Sequence, residues 1–120
     1  MEKKTILLCD DDPEILKSVG MLLESAGYDV HTAHEYRELN AQLKETKPDL
    51  LVLDVRMPER DGFNIAESLQ ALGMNIPIIF MTGYDQLIYR LYAPFVGAVE
   101  FLIKPVEPAK LLNHVAHALA

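Results

Sequence analysis

The stretch ILLCDDDPEI, residues 6–15, decides the fold class. Four apolar residues run directly into three consecutive acids, Asp10, Asp11 and Asp12. A continuous apolar run of this kind is typical of a strand that is buried on both faces, as in a parallel sheet. Pro13 suits the first turn of a helix that has Asp12 as its N-cap. Neighbouring carboxylates repel one another, so the cluster of acids indicates a binding site at the end of this strand.

Short apolar runs and helical patterns alternate along the rest of the chain. Further strands are predicted at residues 28–33, 50–54, 76–82 and 98–105. Helical spacing of apolar residues predicts helices that end at Gly27, before Pro48 and at Gly73, a less regular helix over residues 85–96, and a last helix from Pro108. Five strands and five helices in alternation predict one α/β domain over residues 1–120. Its doubly wound parallel sheet should have the flavodoxin-like strand order 2-1-3-4-5.

The composition excludes several classes of protein. Half of the 120 residues are hydrophobic and 24% are charged, as in an ordinary soluble globular protein. The formal net charge of −7 argues against a nucleic-acid-binding face, and no apolar run approaches the roughly 20 residues of a membrane span. The N-terminus lacks the apolar stretch of a signal peptide, and the single Cys9 fits a reducing compartment. We therefore expect a cytoplasmic protein that binds neither nucleic acid nor a membrane through this segment.

Polar residues end four of the predicted strands. Asp10 and Asp11 follow the first strand, Asp54 ends the third, Thr82 ends the fourth and Lys104 lies at the end of the fifth. In an open α/β sheet, ligands bind at the carboxyl ends of the strands, near the point where the strand order reverses. A group of carboxylates there suits Mg²⁺, which prefers oxygen ligands. Bound Mg²⁺ also neutralises charge on a phosphoryl group that is being transferred to a carboxylate nucleophile.

At these residues the chain resembles the response-regulator receiver domain of two-component signal transduction. The matching segments are LLCDD at the first strand end, LLVLDVRMPERDG around Asp54, PIIFMTG with Thr82 and EFLIKP with Lys104. The resemblance covers essentially all 120 residues. It is specific because four motifs each fall on the expected element, whereas any one of them alone would be a weak signal.

The resemblance implies a role for each acid. Asp54 is expected to be the phosphoacceptor. Asp10 and Asp11 form the acid pocket, in which Asp11 should bind Mg²⁺ directly and Asp10 should bind it through water. Asp54 and the backbone carbonyl of Arg56 complete the expected metal ligands. For Asp12, the local sequence favours an N-cap of the first helix over a role in the acid pocket.

The resemblance also implies how the domain works as a switch. Thr82 is the expected switch hydroxyl, Phe101 occupies the switch-aromatic position, and Lys104 pairs with the phosphoryl group and precedes a cis bond to Pro105. Members of this family take phosphate from a phosphohistidine on a sensor histidine kinase or a histidine phosphotransfer domain. They then alter the face built from the fourth helix, the fifth strand and the fifth helix. Such a protein catalyses its own phosphorylation and dephosphorylation and is otherwise no enzyme.

Two other functions fit the fold class. The first is a receiver-like interaction module that works without phosphorylation, against which the complete set of site residues argues. The second is a flavodoxin-like flavin binder or a metal-dependent phosphatase. The acidic loop after the first strand would repel a flavin phosphate, and a phosphatase would more naturally carry its nucleophile on the first strand.

The segment after Thr82 departs from the family pattern. It carries several aromatic residues, Tyr84, Tyr89, Tyr92 and Phe95. It also contains Pro94, which interrupts helical hydrogen bonding, so the fourth helix should be short, kinked or displaced. Exposed aromatic residues favour association. We therefore expect this face to bind an output domain or a second copy of the chain.

The four histidines form two pairs with a spacing of three. They are His31, His34, His114 and His117. Neither pair is completed by a cysteine or a carboxylate in a metal-binding pattern. We interpret all four as surface or rim residues, and Cys9 as a small core residue.

Overall fold

A computed structural model describes residues 3–56, 61–83 and 87–120. Within these ranges five strands alternate with five α-helices. The strands are β1 (Thr5–Cys9), β2 (Asp29–Ala33), β3 (Leu50–Leu53), β4 (Ile78–Thr82) and β5 (Ala98–Ile103). The helices are α1 (Pro13–Ser25), α2 (Tyr36–Thr46), α3 (Gly62–Ala71), α4 (Leu87–Tyr92) and α5 (Pro108–Ala118), with a 3₁₀ turn, Ala93–Val96, after α4.

All strand pairs are parallel, and their order is β2-β1-β3-β4-β5. The predicted α/β fold class and strand order are therefore confirmed. β1 and β3 are neighbours, with Cys9 in register with Leu53. The amide of Asp54 donates to the carbonyl of Cys9 at 3.0 Å. This register brings the residues after β1 and β3 to the same edge of the sheet.

The continuous apolar run of β1 is explained by helices on both faces of the sheet. Leu7 and Cys9 pack into the layer that contains residues of α2 and α3. Ile6 and Leu8 pack into the layer that contains residues of α1 and α5. Each fully buried leucine or isoleucine side chain contributes about 1.5–3 kcal/mol through the hydrophobic effect. Cys9 is a core residue as predicted, and burial raises the pKa of its thiol.

The start of α1 is built as the sequence predicts. Asp12 has an extended backbone, and its side chain accepts a hydrogen bond from the Glu14 amide at 3.0 Å. Pro13 occupies the first turn, where no intrahelical N–H is needed. The helix ends at Ser25, shortly before Gly27, whose φ of 98° favours glycine. The role of Asp12 as N-cap is therefore confirmed.

Several predicted strand boundaries were wrong by one or two residues. β4 begins at Ile78 rather than at residue 76, because Pro77 has no N–H to give to the ladder. β2 begins at Asp29 and β3 ends at Leu53, each one residue inside its predicted limit. β5 ends at Ile103, two residues before the predicted limit, because the chain bends at the residues that follow.

The fourth helix is short, as Pro94 led us to expect. α4 has six residues, and Pro94 lies in the first turn of the 3₁₀ segment that follows it. Gly97, at a φ of 89°, ends that segment before β5. Tyr84 and the predicted helix start at residue 85 lie outside the described residues. None of the helices in the described ranges is long and apolar enough to cross a membrane.

Candidate functional site

Three carboxylates meet at the carboxyl edge of the sheet. Asp10 and Asp11 follow β1, and Asp54 follows β3. Each offers an oxygen that lies within 4.8 Å of the others. Asp10 is fully buried, Asp54 is 6% exposed and Asp11 is open to solvent. The site therefore has a closed inner side and an open outer side.

Lys104 bridges the two buried carboxylates. Its Nζ lies 2.5 Å from Oδ2 of Asp10 and 2.9 Å from Oδ2 of Asp54. The Lys104 amide donates to the carbonyl of Thr82 at 2.8 Å, which fixes the backbone beside β4. The bond between Lys104 and Pro105 is cis, as predicted.

The site shifts the pKa of both partners in this bridge. Burial raises the pKa of Asp10 above its ordinary value, and hydrogen bonds from Lys104 and the Asp12 amide oppose that rise. Burial by itself lowers the pKa of Lys104. Hydrogen bonds to Asp10 and Asp54 and their negative charges outweigh that effect, so the pKa of Lys104 is raised. The lysine is therefore held as a cation between the two acids.

The second oxygen of each buried carboxylate is held by the backbone. Oδ1 of Asp10 accepts a hydrogen bond from the Asp12 amide at 3.0 Å. Oδ1 of Asp54 accepts one from the Arg56 amide at 3.0 Å. Each acid thus has one oxygen fixed by its own loop and the other directed at Lys104. This pairing of loop amides with carboxylates could not be read from the sequence.

The donor set fits a hard divalent cation. Mg²⁺ binds through one or two carboxylates together with waters and phosphate oxygens, and three carboxylates converge here. In the described part of the chain, this is the one group of acidic, histidine or cysteine side chains with that arrangement. Arg56 lies beside it with an exposed side chain. The use of its backbone carbonyl as a ligand stays a prediction.

The two predicted switch residues lie on adjacent strands. Thr82 ends β4 and is fully buried next to the site. Phe101 is half-buried on β5, with its ring centroid 6.2 Å from that of Phe80. The guanidinium carbon of Arg90 lies 5.7 Å from the centroid of Phe101. Phe101 therefore links the strand beside the site to α4.

Gly62 is a site residue that sequence reasoning missed. Its amide donates to the carbonyl of Val55 at 2.6 Å. A Cβ on Gly62 would lie 2.5 Å from the carbonyl oxygen of Asp54 and 2.9 Å from the Cα of Val55. Glycine is thus required where α3 begins. The sequence shows a glycine there, but no sequence pattern reveals the backbone that it approaches.

The histidines lie away from the acids of the site. His31 contacts Asp29 at 3.3 Å, His34 pairs with Glu38, and His114 contacts Glu100 at 3.2 Å. All four histidines are at least partly exposed. Their interpretation as surface or rim residues is confirmed.

Known proteins resemble this chain in sequence. The profile of the response regulator receiver domain matches residues 6–116. Transcriptional regulatory protein GlrR of Escherichia coli (strain K12) is 36% identical over 114 residues, which cover 95% of this chain and 26% of that protein. Alkaline phosphatase synthesis transcriptional regulatory protein PhoP of Bacillus subtilis is 33% identical over 108 residues, which cover 90% of this chain and 45% of that protein.

A solved structure has the same fold. The receiver domain protein (CheY-like) from Methanospirillum hungatei JF-1 superposes with a TM-score of 0.92 at 31% identity, covering 98% of this chain and 94% of that one. The fold and the acidic edge define a receiver-type α/β domain. The chain belongs to the response regulator receiver domain family of two-component systems. Switching by phosphorylation is general to this family. The chain spans between a quarter and a half of the length of the two regulatory proteins named above.

Proposed function

We propose that residues 1–120 form a receiver domain that accepts a phosphoryl group on Asp54 in a Mg²⁺-dependent reaction. The donor is a phosphohistidine of a sensor histidine kinase or a histidine phosphotransfer domain. One observation carries this proposal: a single ammonium group, Nζ of Lys104, contacts Asp10 at 2.5 Å and Asp54 at 2.9 Å. A cation held at the end of β3 is placed to bind the oxygens of a phosphoryl group on Asp54.

In the proposed transfer, Asp54 is the nucleophile. One of its carboxylate oxygens forms a bond to phosphorus while the phosphorus–nitrogen bond of the phosphohistidine breaks. The imidazole leaves with the electron pair of that bond. Asp54 is 6% exposed, so the donor histidine must approach from the open side of the site, where Asp11 lies. Limited exposure also restricts the access of water to the product.

Asp10, Asp11, Asp54 and the backbone carbonyl of Arg56 would hold the metal. When bound, Mg²⁺ neutralises charge on the transferring phosphoryl group. Asp11, the exposed acid, is the direct ligand in this proposal, and the fully buried Asp10 binds through water. Hydrogen bonds from the Asp12 and Arg56 amides hold the carboxylates of Asp10 and Asp54, respectively, in position.

The switch follows from new partners for Lys104 and Thr82. Once Asp54 is modified, the ammonium of Lys104 and the hydroxyl of Thr82 bind phosphoryl oxygens. Thr82 and Phe101 then favour a different arrangement of the face formed by α4, β5 and α5. This is a shift between two populations. The changed face binds an output domain or a second copy of the chain, and the domain's own catalysis is limited to phosphorylation and dephosphorylation of Asp54.

The same proposal includes a cytoplasmic location and no nucleic-acid partner. A phosphohistidine donor and a single, buried cysteine both fit the cytoplasm. The formal net charge of −7 leaves this segment without a nucleic-acid-binding role of its own.

Intact-mass spectrometry with acetyl phosphate and Mg²⁺ tests the chemistry. We expect one phosphoryl adduct that forms with Mg²⁺, is lost when the metal is chelated, and is absent from Asp54→Asn. Asp29→Asn is the matched control, because it removes an exposed carboxylate on β2, away from the acidic edge. This variant should form the same adduct as the unchanged protein.

Two results would contradict the proposal. An adduct that persists in Asp54→Asn would place the phosphoryl group elsewhere. The absence of an adduct from both acetyl phosphate and a phosphohistidine donor, together with no Mg²⁺ binding, would favour a module that works without phosphorylation.

A further inference from the structure

An aromatic cluster joins α3 to α4. The ring of Phe63, in the first turn of α3, packs edge-on against Phe80 with a centroid distance of 4.8 Å. It also packs against Tyr89 at 5.3 Å and edge-on against Tyr92 at 5.4 Å. Aromatic pairs in this geometry attract one another beyond the burial of their surface. α4 is thus held to α3 by two of its six residues.

A hydrogen bond joins the same two helices at the end of α4. The hydroxyl of Tyr92 donates to Oε1 of Glu67, one turn further along α3 than Phe63. A hydrogen bond to an ionised acceptor is stronger than one between neutral groups. We call the Tyr92–Glu67 hydrogen bond and the Tyr92–Phe63 ring pair together the α3–α4 contact.

The α3 side of this contact is fixed to the backbone of the proposed phosphoacceptor. The Gly62 amide bonds to Val55, and the Cα of Gly62 faces the carbonyl of Asp54 so closely that no Cβ fits between them. Phe63 is the next residue, and its amide is held by the side chain of Asp61 at 2.7 Å. The start of α3 therefore cannot move independently of Asp54.

The α4 side is tied to the other half of the site. Arg90 of α4 lies over the ring of Phe101, with its guanidinium carbon 5.7 Å from the ring centroid. In the proposed function Thr82 and Phe101 rearrange when Asp54 is modified, and the contact between Phe101 and Arg90 passes that rearrangement to α4. Because α3 is held to Asp54, α4 must then shift relative to α3. The α3–α4 contact is the connection that this shift strains.

We propose that Tyr92 is a positioning residue that holds α4 in its unmodified arrangement and so sets how readily the switch turns on. This inference rests on the proposed function, because there the phosphoryl group on Asp54 favours the other arrangement of α4. The resting population is then fixed by the difference between two sets of contacts. Weakening the α3–α4 contact must favour the modified state, and by reciprocity it must strengthen binding of a phosphoryl group at the site.

Tyr92→Phe tests the inference, since it removes the hydroxyl and keeps the ring. The probe is beryllium fluoride with Mg²⁺, which stands in for the phosphoryl group on Asp54. Two quantities are measured: the affinity for this probe, and amide hydrogen exchange of Leu87–Tyr92 without it. We expect Tyr92→Phe to bind the probe about three- to tenfold more tightly, the range for one hydrogen bond. We also expect exchange in α4 to be faster by a similar factor.

Glu67→Ala should reproduce both effects, and the double variant should add little to either single one, because both remove the same bond. Tyr89→Phe is the matched control: it removes a hydroxyl from the other tyrosine ring that packs on Phe63 and should leave both quantities unchanged. The inference is overturned if Tyr92→Phe matches the unchanged protein in either quantity, or if Tyr89→Phe gives the same shift. Full additivity of the two single changes would overturn it as well.

Failure of the proposed function has a different signature. In that case the unchanged protein does not bind beryllium fluoride in a Mg²⁺-dependent manner, and there is no coupling for Tyr92 to set. Failure of the inference alone leaves that binding intact in the unchanged protein and in every variant, with no difference in affinity between them.

Discussion

Lys104 is the residue on which the site depends electrostatically. The fold buries Asp10 fully and Asp54 almost fully, within reach of each other. Two neighbouring buried carboxylates are costly unless a cation or hydrogen bonds balance them. Lys104 supplies that cation, and its side chain remains 19% exposed, so it can turn to a new partner without crossing the core. The same residue thus stabilises the unmodified site and is available to the modified one.

Replacing Lys104 by methionine should therefore destabilise the protein. We expect a loss of about 3 kcal/mol in the free energy of unfolding, the low end for removing one partner of a buried ion pair, because Lys104 is partly exposed. Mg²⁺ should restore more stability to this variant than to the unchanged protein, since the metal replaces the missing cation. Urea unfolding with and without Mg²⁺ measures both effects.

Lys110→Met provides the comparison for that experiment, because Lys110 is an exposed lysine on α5. Its stability should stay within about 0.5 kcal/mol of the unchanged protein. Equal stabilities for the Lys104 and Lys110 variants would show that the two carboxylates do not need a counter-charge.

Tyr92 should lose its proton at a higher pH than an ordinary tyrosine. The hydrogen bond to Glu67 raises the pKa of Tyr92 above 10.0, and the nearby negative charge adds to that rise. Because the pKa of Tyr92 is higher in the folded than in the unfolded chain, the hydrogen bond contributes fully to the free energy of unfolding below pH 10.0. That contribution is lost as the pH rises through the pKa of the folded state. The ultraviolet titration of the unchanged protein minus that of Tyr92→Phe isolates this group. Glu67→Ala should move its midpoint back toward 10.0, and a midpoint already at or below that value would exclude the bond in solution.

At the scale of elements, α3 begins where its backbone touches that of the two residues that follow β3. The close approach of Gly62 to Asp54 and Val55 leaves no room for a side chain, and the atoms in contact belong to backbone that cannot give way. Gly62→Ala should therefore cost about 2–3 kcal/mol in the free energy of unfolding, as overpacking does. It should also weaken Mg²⁺ binding, because any relief of the clash displaces Asp54. Urea unfolding and a Mg²⁺ titration measure the two effects.

Gly20→Ala is a comparison that the chain itself offers. Gly20 lies inside α1, and a Cβ there would have nothing within 4 Å. Alanine is the better helix former, so this change should stabilise the protein by up to about 1 kcal/mol. Opposite signs for the two glycines are the expected result. Similar small effects at both positions would mean that the chain at Gly62 is looser than the structure shows.

Most elements could be predicted from the sequence because their signals are local. Pro13 and Asp12 mark the start of α1, and the apolar run of β1 shows that both of its faces are covered. Strand ends were less certain: at Pro77 the predicted strand starts two residues early, because apolar character continues where the hydrogen-bond ladder does not. The contact between Tyr92 and Glu67 could not be predicted, since it depends on the angle between two helices.

At the scale of the whole molecule, the site is a consequence of strand order. Lys104 and Asp10 are separated by 94 positions in the sequence, yet they are in contact. The parallel strand order 2-1-3-4-5 was enough to predict that Asp10, Asp54, Thr82 and Lys104 would share one edge. The sequence could not show that a single ammonium group bridges two acids, because side-chain conformations at the ends of different strands follow no sequence pattern.

The surface around α4 carries several exposed apolar side chains. Large hydrophobic side chains there are exposed on α4, on the 3₁₀ turn and on β5: Leu87, Ile88, Leu91, Phe95 and Val99. Phe95 is 77% exposed. The 3₁₀ turn contacts both α4 and β5, and large apolar side chains exposed together on neighbouring elements mark interaction sites. In the proposed switch, this is also the face whose arrangement changes when Asp54 is modified.

We therefore expect self-association through this face to depend on the state of Asp54. Sedimentation with acetyl phosphate and Mg²⁺ should show a dimer that Asp54→Asn does not form. Leu91→Glu should weaken the dimer by about tenfold or more, since it places a charge in the centre of an apolar interface. Met21→Glu is the control, because Met21 is equally exposed but lies on α1, in the other helical layer. A protein that stays monomeric at high concentration in both states would exclude the second copy as partner, and the exposed side chains of α4 would then be the surface for an output domain.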